Sequence, residues 1–177
     1  LNFAQLEAIQ VAIRNECFRC LTVLVSSFGR LVKDNMAPIL GVSWQFFKTG
    51  VEGYETLEVR GEGDLMNRHE CDGDDVNVEL LMSQVMEFLI TVVGNKRFKK
   101  MIQPHIFDLV YTSLQYMQMT SQQEEDWLDD AEQFLQGEEN DMLSVRVSGE
   151  MLMCELATEY EVVGMQKILE AVGARIQ

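Results

Sequence analysis

The segment from Ser121 to Asp141 combines carboxylates with aromatic side chains, and it is the part of the sequence best suited to bind a partner. Nine acidic residues lie from Glu124 to Asp141, and no Lys or Arg occurs between Lys100 and Arg146. Such a run attracts basic groups, but each exposed charge pair contributes only about 0–1 kcal/mol, so binding needs many contacts and weakens with salt. A solvated loop that only keeps the protein soluble explains the same charge.

The candidate partner-binding residues are the acids of this segment and its tryptophan. They are Glu124, Glu125, Asp126, Trp127, Asp129, Asp130, Glu132, Glu138, Glu139 and Asp141. A tryptophan flanked by carboxylates can meet Lys or Arg side chains by charge pairing and stacking. Because Trp127 and Phe134 are large and apolar, we expect part of the segment to dock somewhere instead of being fully solvated. A second, looser set of candidate acids is Glu62, Asp64, Asp72, Asp74 and Asp75.

Helix signals define the boundaries of this acidic insert. Ser121 and Glu124 have the spacing of a capping box, which predicts a helix start. Gly137 is a candidate residue just beyond the end of that helix. Asp141 is a candidate N-cap for the next helix, predicted from about Met142 to Thr158.

Other chemistry has weak support in the sequence. Cys17 and Cys20 form a C-x-x-C pair with no second pair at zinc spacing, so we expect buried structural thiols. His69 and His105 have no nucleophile in a recognisable motif, and the phosphate-binding glycine motifs are absent from the sequence. We therefore expect no metal, no cofactor and no enzymatic activity.

Composition restricts the class of partner. The 177 residues carry a formal net charge of −15, which argues against nucleic acid or an anionic membrane surface. The apolar share is that of a folded protein, and no apolar run approaches the roughly 20 residues of a membrane span. Four cysteines fit free thiols in a reducing compartment. The sequence lacks a signal-peptide pattern and begins without Met, so we expect a segment of a longer chain.

Apolar residues recur every three to four positions through most of the chain, which predicts helices and no sheet. The predicted third helix is capped by Asp74 or Asp75 and ends at Gly94 and Asn95. Its predicted buried face is Val78, Leu81, Val85, Phe88 and Val92. The predicted buried face of the first helix is Leu6, Ile9, Ile13, Cys17, Cys20, Leu24 and Phe28. That of the last helix is Val162, Met165, Leu169, Val172 and Ile176.

The predicted fold class is all-α, with helices in antiparallel pairs of the length of HEAT-type repeats. The predicted units are a helix pair in 1–60, an acidic loop in 61–75, a pair in 76–120, the acidic insert in 121–141 and a pair in 142–177. The lengths and order of the predicted helices alone do not distinguish stacked repeats from a plain helical bundle.

The acidic insert and the helix after it resemble the importin-beta superfamily of nuclear transport receptors, most of all its histone-importin branch. The resemblance rests on the motifs EDW…DAEQF at 125–134 and SVRVS at 144–148, and extends weakly to 13–44 and 98–119. Ala131 stands where that branch has proline, and the acidic run here is shorter.

The resemblance implies a HEAT-repeat superhelix that imports basic cargo, with core histones as the expected class. Cargo would be released when the GTP-bound Ran GTPase binds, and acidic loops between helices would contact both. Nucleoporins are a further implied partner, and shuttling between cytoplasm and nucleus is the implied localisation. Two alternatives are a HEAT-repeat scaffold outside nuclear transport and an acidic histone chaperone of unrelated helical fold. Both would be insensitive to Ran.

Overall fold

The computed structural model describes most of the chain, and nearly all of the described residues are helical. The described residues are 8–61, 69–71, 74–76, 78–140 and 144–176, with the backbone alone for 8, 69–71, 74–76 and 138–140. Their elements are α1 (Ala8–Phe28), α2 (Met36–Tyr54), β1 (His69–Cys71), β2 (Asp74–Val76), α3 (Val78–Val93), α4 (Lys99–Ile102), α5 (Ile106–Tyr116), α6 (Ser121–Asp129), α7 (Ala131–Asn140) and α8 (Val145–Ile176). The predicted all-α, HEAT-like fold class is confirmed.

The long helices form two layers. α1 packs on α3 and α3 on α8, while α5 packs on α2 and on α8. The side-chain amide of Asn95, just beyond α3, donates to the Val25 carbonyl near the end of α1, with 3.4 Å between N and O. The C-termini of α1 and α3 therefore lie side by side, and these two helices run parallel. The short turn after α1 returns the chain as α2, antiparallel to it. This arrangement of parallel helices in one layer is that of stacked helical repeats.

Aromatic rings join the two layers at the centre of the fold. The ring centroid of Phe18 on α1 lies 5.8 Å from that of Phe46 on α2 and 5.8 Å from that of Phe88 on α3. All three rings are buried. The predicted inner face of α3 is confirmed, since all five of its apolar residues are buried. A helix with this much buried surface is stabilised mainly by tertiary packing.

Tyr116 ties the end of α5 to α2. Its hydroxyl donates to the Phe47 carbonyl at 2.6 Å, and its ring stacks on the Phe47 ring with centroids 5.0 Å apart. The Tyr54 ring meets Tyr116 edge to face at 5.1 Å. Burial raises the pKa of both tyrosines well above the ordinary value, so both hydroxyls stay protonated even in alkaline solution.

α8 is bent sharply at Glu161, which separates an arm at 145–160 from an arm at 162–176. Glu161 has φ 49° and ψ −124°, a strained conformation for a residue with a side chain. Gly164 permits the bend, because a Cβ there would lie 2.3 Å from the Leu156 carbonyl oxygen. Lys99 holds the first arm: its ammonium donates to the Glu159 carbonyl and lies 5.1 Å from the Tyr160 ring centroid. The two predicted last helices are thus confirmed as separate arms.

A two-stranded antiparallel hairpin occurs in the predicted acidic loop. His69 pairs with Val76 and Cys71 with Asp74. The expectation of no sheet anywhere is therefore wrong for this short segment, and Asp74 and Asp75 lie in β2 instead of capping α3. The two residues between the strands are Asp and Gly in the sequence, which favours a two-residue hairpin turn. The flanking residues lack apolar alternation, so the pattern was easily missed. Glu62, Asp64 and Asp72 lie outside the described residues.

The predicted buried faces of the first and last helices are wrong. On α1 the buried positions are Val11, Phe18 and Val25, whereas Ile9 and Ile13 are exposed. The rest of the predicted face is exposed too, namely Cys17, Cys20, Leu24 and Phe28, and Leu6 lies outside the described residues. On the second arm of α8 the exposed residues are Val162, Met165, Leu169 and Ile176, with Val172 half-buried. Both helices carry apolar residues on two sides, and the contacts with α3 and α5 select the side that is buried.

Cys17 and Cys20 are exposed, so the prediction of buried structural thiols is wrong. They lie one turn apart on the face of α1 that points away from Phe18. Cys154 on α8 is exposed as well.

We expect Cys17 and Cys20 to react with a thiol reagent in the folded protein, because thiols on a solvent-facing helix side are accessible. The measurement is stoichiometric labelling without denaturant in a Cys71→Ser/Cys154→Ser background, followed by spectrophotometry. Both thiols should react at a rate close to that in denaturant. Reaction only after denaturant is added would show that this face is covered.

Candidate partner-binding site

The acidic insert begins with a helix cap one residue earlier than predicted. The cap of α6 is Thr120, whose hydroxyl accepts from the Gln123 backbone N–H at 3.1 Å. The Gln123 side chain accepts in return from the Thr120 backbone N–H at 3.0 Å. The capping box is thus Thr120–Gln123 instead of Ser121–Glu124. Both pairs have suitable chemistry and equal spacing, so the sequence alone does not separate them.

The insert forms two helices joined at Asp130, and the predicted helix end at Gly137 is wrong. Asp130 leaves the helical conformation, with φ −149° and ψ 92°. Its carboxylate accepts from the backbone N–H groups of Glu132 at 3.1 Å and Gln133 at 3.0 Å, which caps α7. α7 continues through Gly137 to Asn140. Asp130 is therefore a structural cap as well as a candidate binding residue.

Polar contacts fix the start of the insert to the helical layers. The Ser121 hydroxyl donates to the Val59 carbonyl at 2.9 Å, in the π-helical turn that follows α2. The Arg146 guanidinium, in the first turn of α8, donates to the Gln123 side-chain oxygen at 2.9 Å. The sequence reasoning missed Gln123 and Arg146 as anchors. The signal for Arg146 was its position as the first basic residue after the acidic run.

Trp127 and Phe134 pack on each other and hold α6 against α7. Their ring centroids lie 5.7 Å apart in an edge-to-face arrangement. The expected docking of part of the insert is thus a contact within the insert, and Trp127 remains 42% exposed. Leu128 and Leu135 are also exposed, at 83% and 51%. The insert therefore presents apolar side chains among its carboxylates.

Replacing Trp127 with alanine is expected to lower the free energy of unfolding by about 1–2 kcal/mol. An edge-to-face aromatic pair contributes about 0.5–1.5 kcal/mol, and because the side chain is 42% exposed, its truncation costs less than the about 3–5 kcal/mol of a fully buried ring. Urea denaturation followed by circular dichroism measures the change. Leu128→Ala on the same helix is the matched control and should change the free energy by less than about 0.5 kcal/mol. A loss above about 3 kcal/mol would indicate a ring buried against the other helices.

The structure places most of the candidate acids in one exposed helical hairpin. The exposed candidates are Glu124, Glu125, Asp126, Trp127, Asp129, Asp130 and Glu132. Glu138 and Glu139 lie on α7, where only the backbone is described, and Asp141 lies outside the described residues. Asp126 accepts from the Gln122 side-chain amide at 2.9 Å. For Glu124, Glu125, Asp126, Asp129, Asp130 and Glu132, whose side chains are described and exposed, the ion pairs found among the described residues include none.

Other kinds of site find little support in the part of the chain that is described. There, no group of three or more His, Cys, Asp and Glu side chains is placed to hold a metal ion. The described helices include none with the length and hydropathy needed to cross a membrane. The absence of enzymatic activity and of a cofactor stays a prediction.

No family model matches the sequence of this chain, but the chain is similar to a curated importin. The chain is 26% identical over 170 residues to "Importin-9" of Drosophila melanogaster. The match covers 91% of this chain but only 16% of the relative's length. At the level this identity supports, the chain is a distant relative of an importin.

Proposed function

We propose that this chain is part of a nuclear import receptor that binds basic protein cargo through the acidic insert. Core histones are the cargo class we propose, with release of cargo when the GTP-bound Ran GTPase binds. The binding residues are the ten candidates from Glu124 to Asp141. The division of the chain into three helix pairs separated by the 61–75 loop and the 121–141 insert belongs to the same proposal.

The observation that carries the proposal is the exposed helical hairpin of α6 and α7. Its six carboxylates from Glu124 to Glu132 are exposed, and its start is fixed to the fold through Ser121 and Gln123. A fixed patch of one charge steers an oppositely charged partner and raises its rate of association. Trp127, Leu128 and Leu135 add apolar surface that could bury the stems of Lys and Arg side chains. The similarity to an importin supports the transport role.

The test is binding of fluorescently labelled core histones to the full-length protein, with and without Ran locked in its GTP-bound form. We expect binding that weakens with salt and is displaced by GTP-bound Ran. Ran in its GDP-bound form is the matched control and should leave binding unchanged. Histone binding that is unchanged by either form of Ran would contradict the proposed transport cycle and favour the scaffold or chaperone alternatives.

Two further parts of the proposal follow from the transport role. Shuttling between cytoplasm and nucleus is the proposed localisation, and nucleoporins are proposed partners during passage. Fluorescence recovery in the nucleus after photobleaching of a tagged protein measures the shuttling. Failure of nuclear fluorescence to recover from the cytoplasmic pool would contradict it.

A further inference from the structure

The structure gathers basic residues along one edge of this acidic protein. Residues 29–35, which join α1 to α2, and residues 94–105, which join α3 to α5, lie together at that edge. We call these two segments the basic edge. They contain six Lys and Arg residues and one acidic residue, whereas the whole chain has a net charge of −15. The acidic insert, in contrast, is anchored at the other end of α2, against the Val59 carbonyl.

The parallel packing of α1 and α3 creates the basic edge. Asn95 bonds across to Val25, and a Cβ on Gly29 would lie 2.6 Å from the Asn95 amide nitrogen. The two connections are therefore in contact, although about seventy residues separate them in sequence. The sequence shows the cluster at 96–100, but it does not show that Arg30 and Lys33 join it.

Interactions with the carbonyl groups at helix C-termini explain only part of the positive charge of the basic edge. Basic side chains near a helix C-terminus interact favourably with the exposed carbonyls, and Lys99 does so at Glu159. The other basic residues of the edge are exposed, and none has an ion-pair partner among the described residues. They are Arg30, Lys33, Lys96, Arg97 and Lys100. A set of unpaired cations on a strongly acidic protein is suited to an acidic partner.

An apolar cavity of about 220 Å³ opens beside the basic edge. Its walls come from the first half of α2, from α3 and from the α4–α5 segment, and include Leu40, Gly41, Trp44, Met101, His105 and Leu109. The Lys48 ammonium lies 5.7 Å from the ring centroid of Trp44, which lines the cavity, so a further cation lies next to it. The cavity has room for one aliphatic or aromatic side chain.

We propose that the basic edge and this cavity together bind an acidic peptide segment that carries one bulky apolar side chain. The carboxylates of the peptide face the cations of the basic edge, and the apolar side chain enters the cavity between Leu40 and Leu109. A nucleic acid fits less well, because the net charge of the chain repels a long polyanion and the cavity offers an apolar lining. This site lies outside the acidic insert and does not depend on the proposed function.

The charge component is tested with a labelled peptide of glutamate and serine residues around a single leucine. Lys96→Gln/Arg97→Gln/Lys100→Gln removes three cations from the basic edge. Because exposed charge pairs are individually weak, we expect about tenfold weaker binding for the loss of three, together with a smaller dependence on salt. The matched control removes three cations elsewhere, as Arg19→Gln/Arg60→Gln/Lys167→Gln. Binding lost equally in both variants would overturn the assignment to this edge.

The cavity component is tested with Gly41→Leu. Gly41 lines the cavity, and an added Cβ there meets no atom within 4 Å, so a larger side chain is accommodated at this wall without disturbing α2. Leucine also favours the helix more than glycine does, so circular dichroism should show an intact fold. We expect replacement of the peptide leucine by serine to weaken binding to the unsubstituted chain about tenfold, as loss of a buried aliphatic side chain does. The same replacement should have no effect with the Gly41→Leu chain.

Three outcomes would overturn the proposal. The first is a peptide affinity that does not change with Gly41→Leu. The second is that a single-stranded oligonucleotide binds more tightly than the peptide, and that this oligonucleotide binding is weakened by the three-cation variant but not by its matched control. The third is self-association of the chain that the three-cation variant abolishes, measured by analytical ultracentrifugation, since it would assign the basic edge to a second copy.

Discussion

Replacing Phe88 with alanine is expected to lower the free energy of unfolding by about 3–5 kcal/mol, the cost of removing a large buried ring. Phe88 has no exposed surface and lies against Phe18, with centroids 5.8 Å apart. The cavity left behind would separate α3 from α1, and Phe18 would lose its contact with one of its two neighbouring rings. Urea denaturation followed by circular dichroism measures the change in midpoint.

The control for Phe88 is an apolar residue that the structure leaves in solvent. Val162 is 80% exposed, so Val162→Ala should change the free energy of unfolding by less than about 0.5 kcal/mol. Comparable losses for the two variants would contradict the assignment of α3 to the centre of the fold. They would also contradict an outward-facing second arm of α8.

Neutralising three acids of the insert is expected to slow association with a basic protein about tenfold at low ionic strength, because steering depends on the local field. The variant is Glu124→Gln/Glu125→Gln/Asp129→Asn. The difference should shrink as salt is added, since the Debye length falls to about 8 Å at physiological ionic strength. Stopped-flow fluorescence with labelled core histones at two ionic strengths measures the rates.

The matched control changes the net charge by the same amount on other surfaces. Asp34→Asn/Asp108→Asn/Glu170→Gln removes three exposed carboxylates from the turn before α2, from the start of α5 and from the second arm of α8. It should leave the association rate within about twofold of the unsubstituted chain, because charges beyond a Debye length from the binding patch contribute little. Equal slowing in both variants would mean that net charge, and not the insert, governs association.

The sequence determined where helices form and which segment carries the charge. Apolar spacing identified the buried face of α3, and Gly94 and Asn95 marked its end, because these signals depend on residues close together in the chain. The unbroken acidic run in 124–141 was equally visible, since a local excess of charge needs no folding to be recognised. The resemblance to a nuclear transport family rested on the same segment.

Sequence patterns gave the wrong helix limits where two alternative starts or ends were about equally favourable. Thr120–Gln123 and Ser121–Glu124 are both acceptable capping boxes, and the first is the one that forms. Gly137 favours a helix end, but α7 continues through it at a cost of about 1 kcal/mol relative to alanine. The packing of Trp127 on Phe134 and the capping by Asp130 contribute energies of the same size, so these contacts can outweigh the local preference of Gly137.

Tertiary structure alone decided which apolar residues of α1 are buried. Val11, Phe18 and Val25 face α3, whereas Ile9 and Ile13 have the same helical spacing and face solvent. Periodicity identifies a stripe, but a helix with two stripes needs a neighbour to choose between them. The basic edge has the same origin. Arg30 and Lys33 join the cluster at 96–100 because α1 and α3 pack in parallel, a contact between residues too distant in sequence for any local pattern to encode.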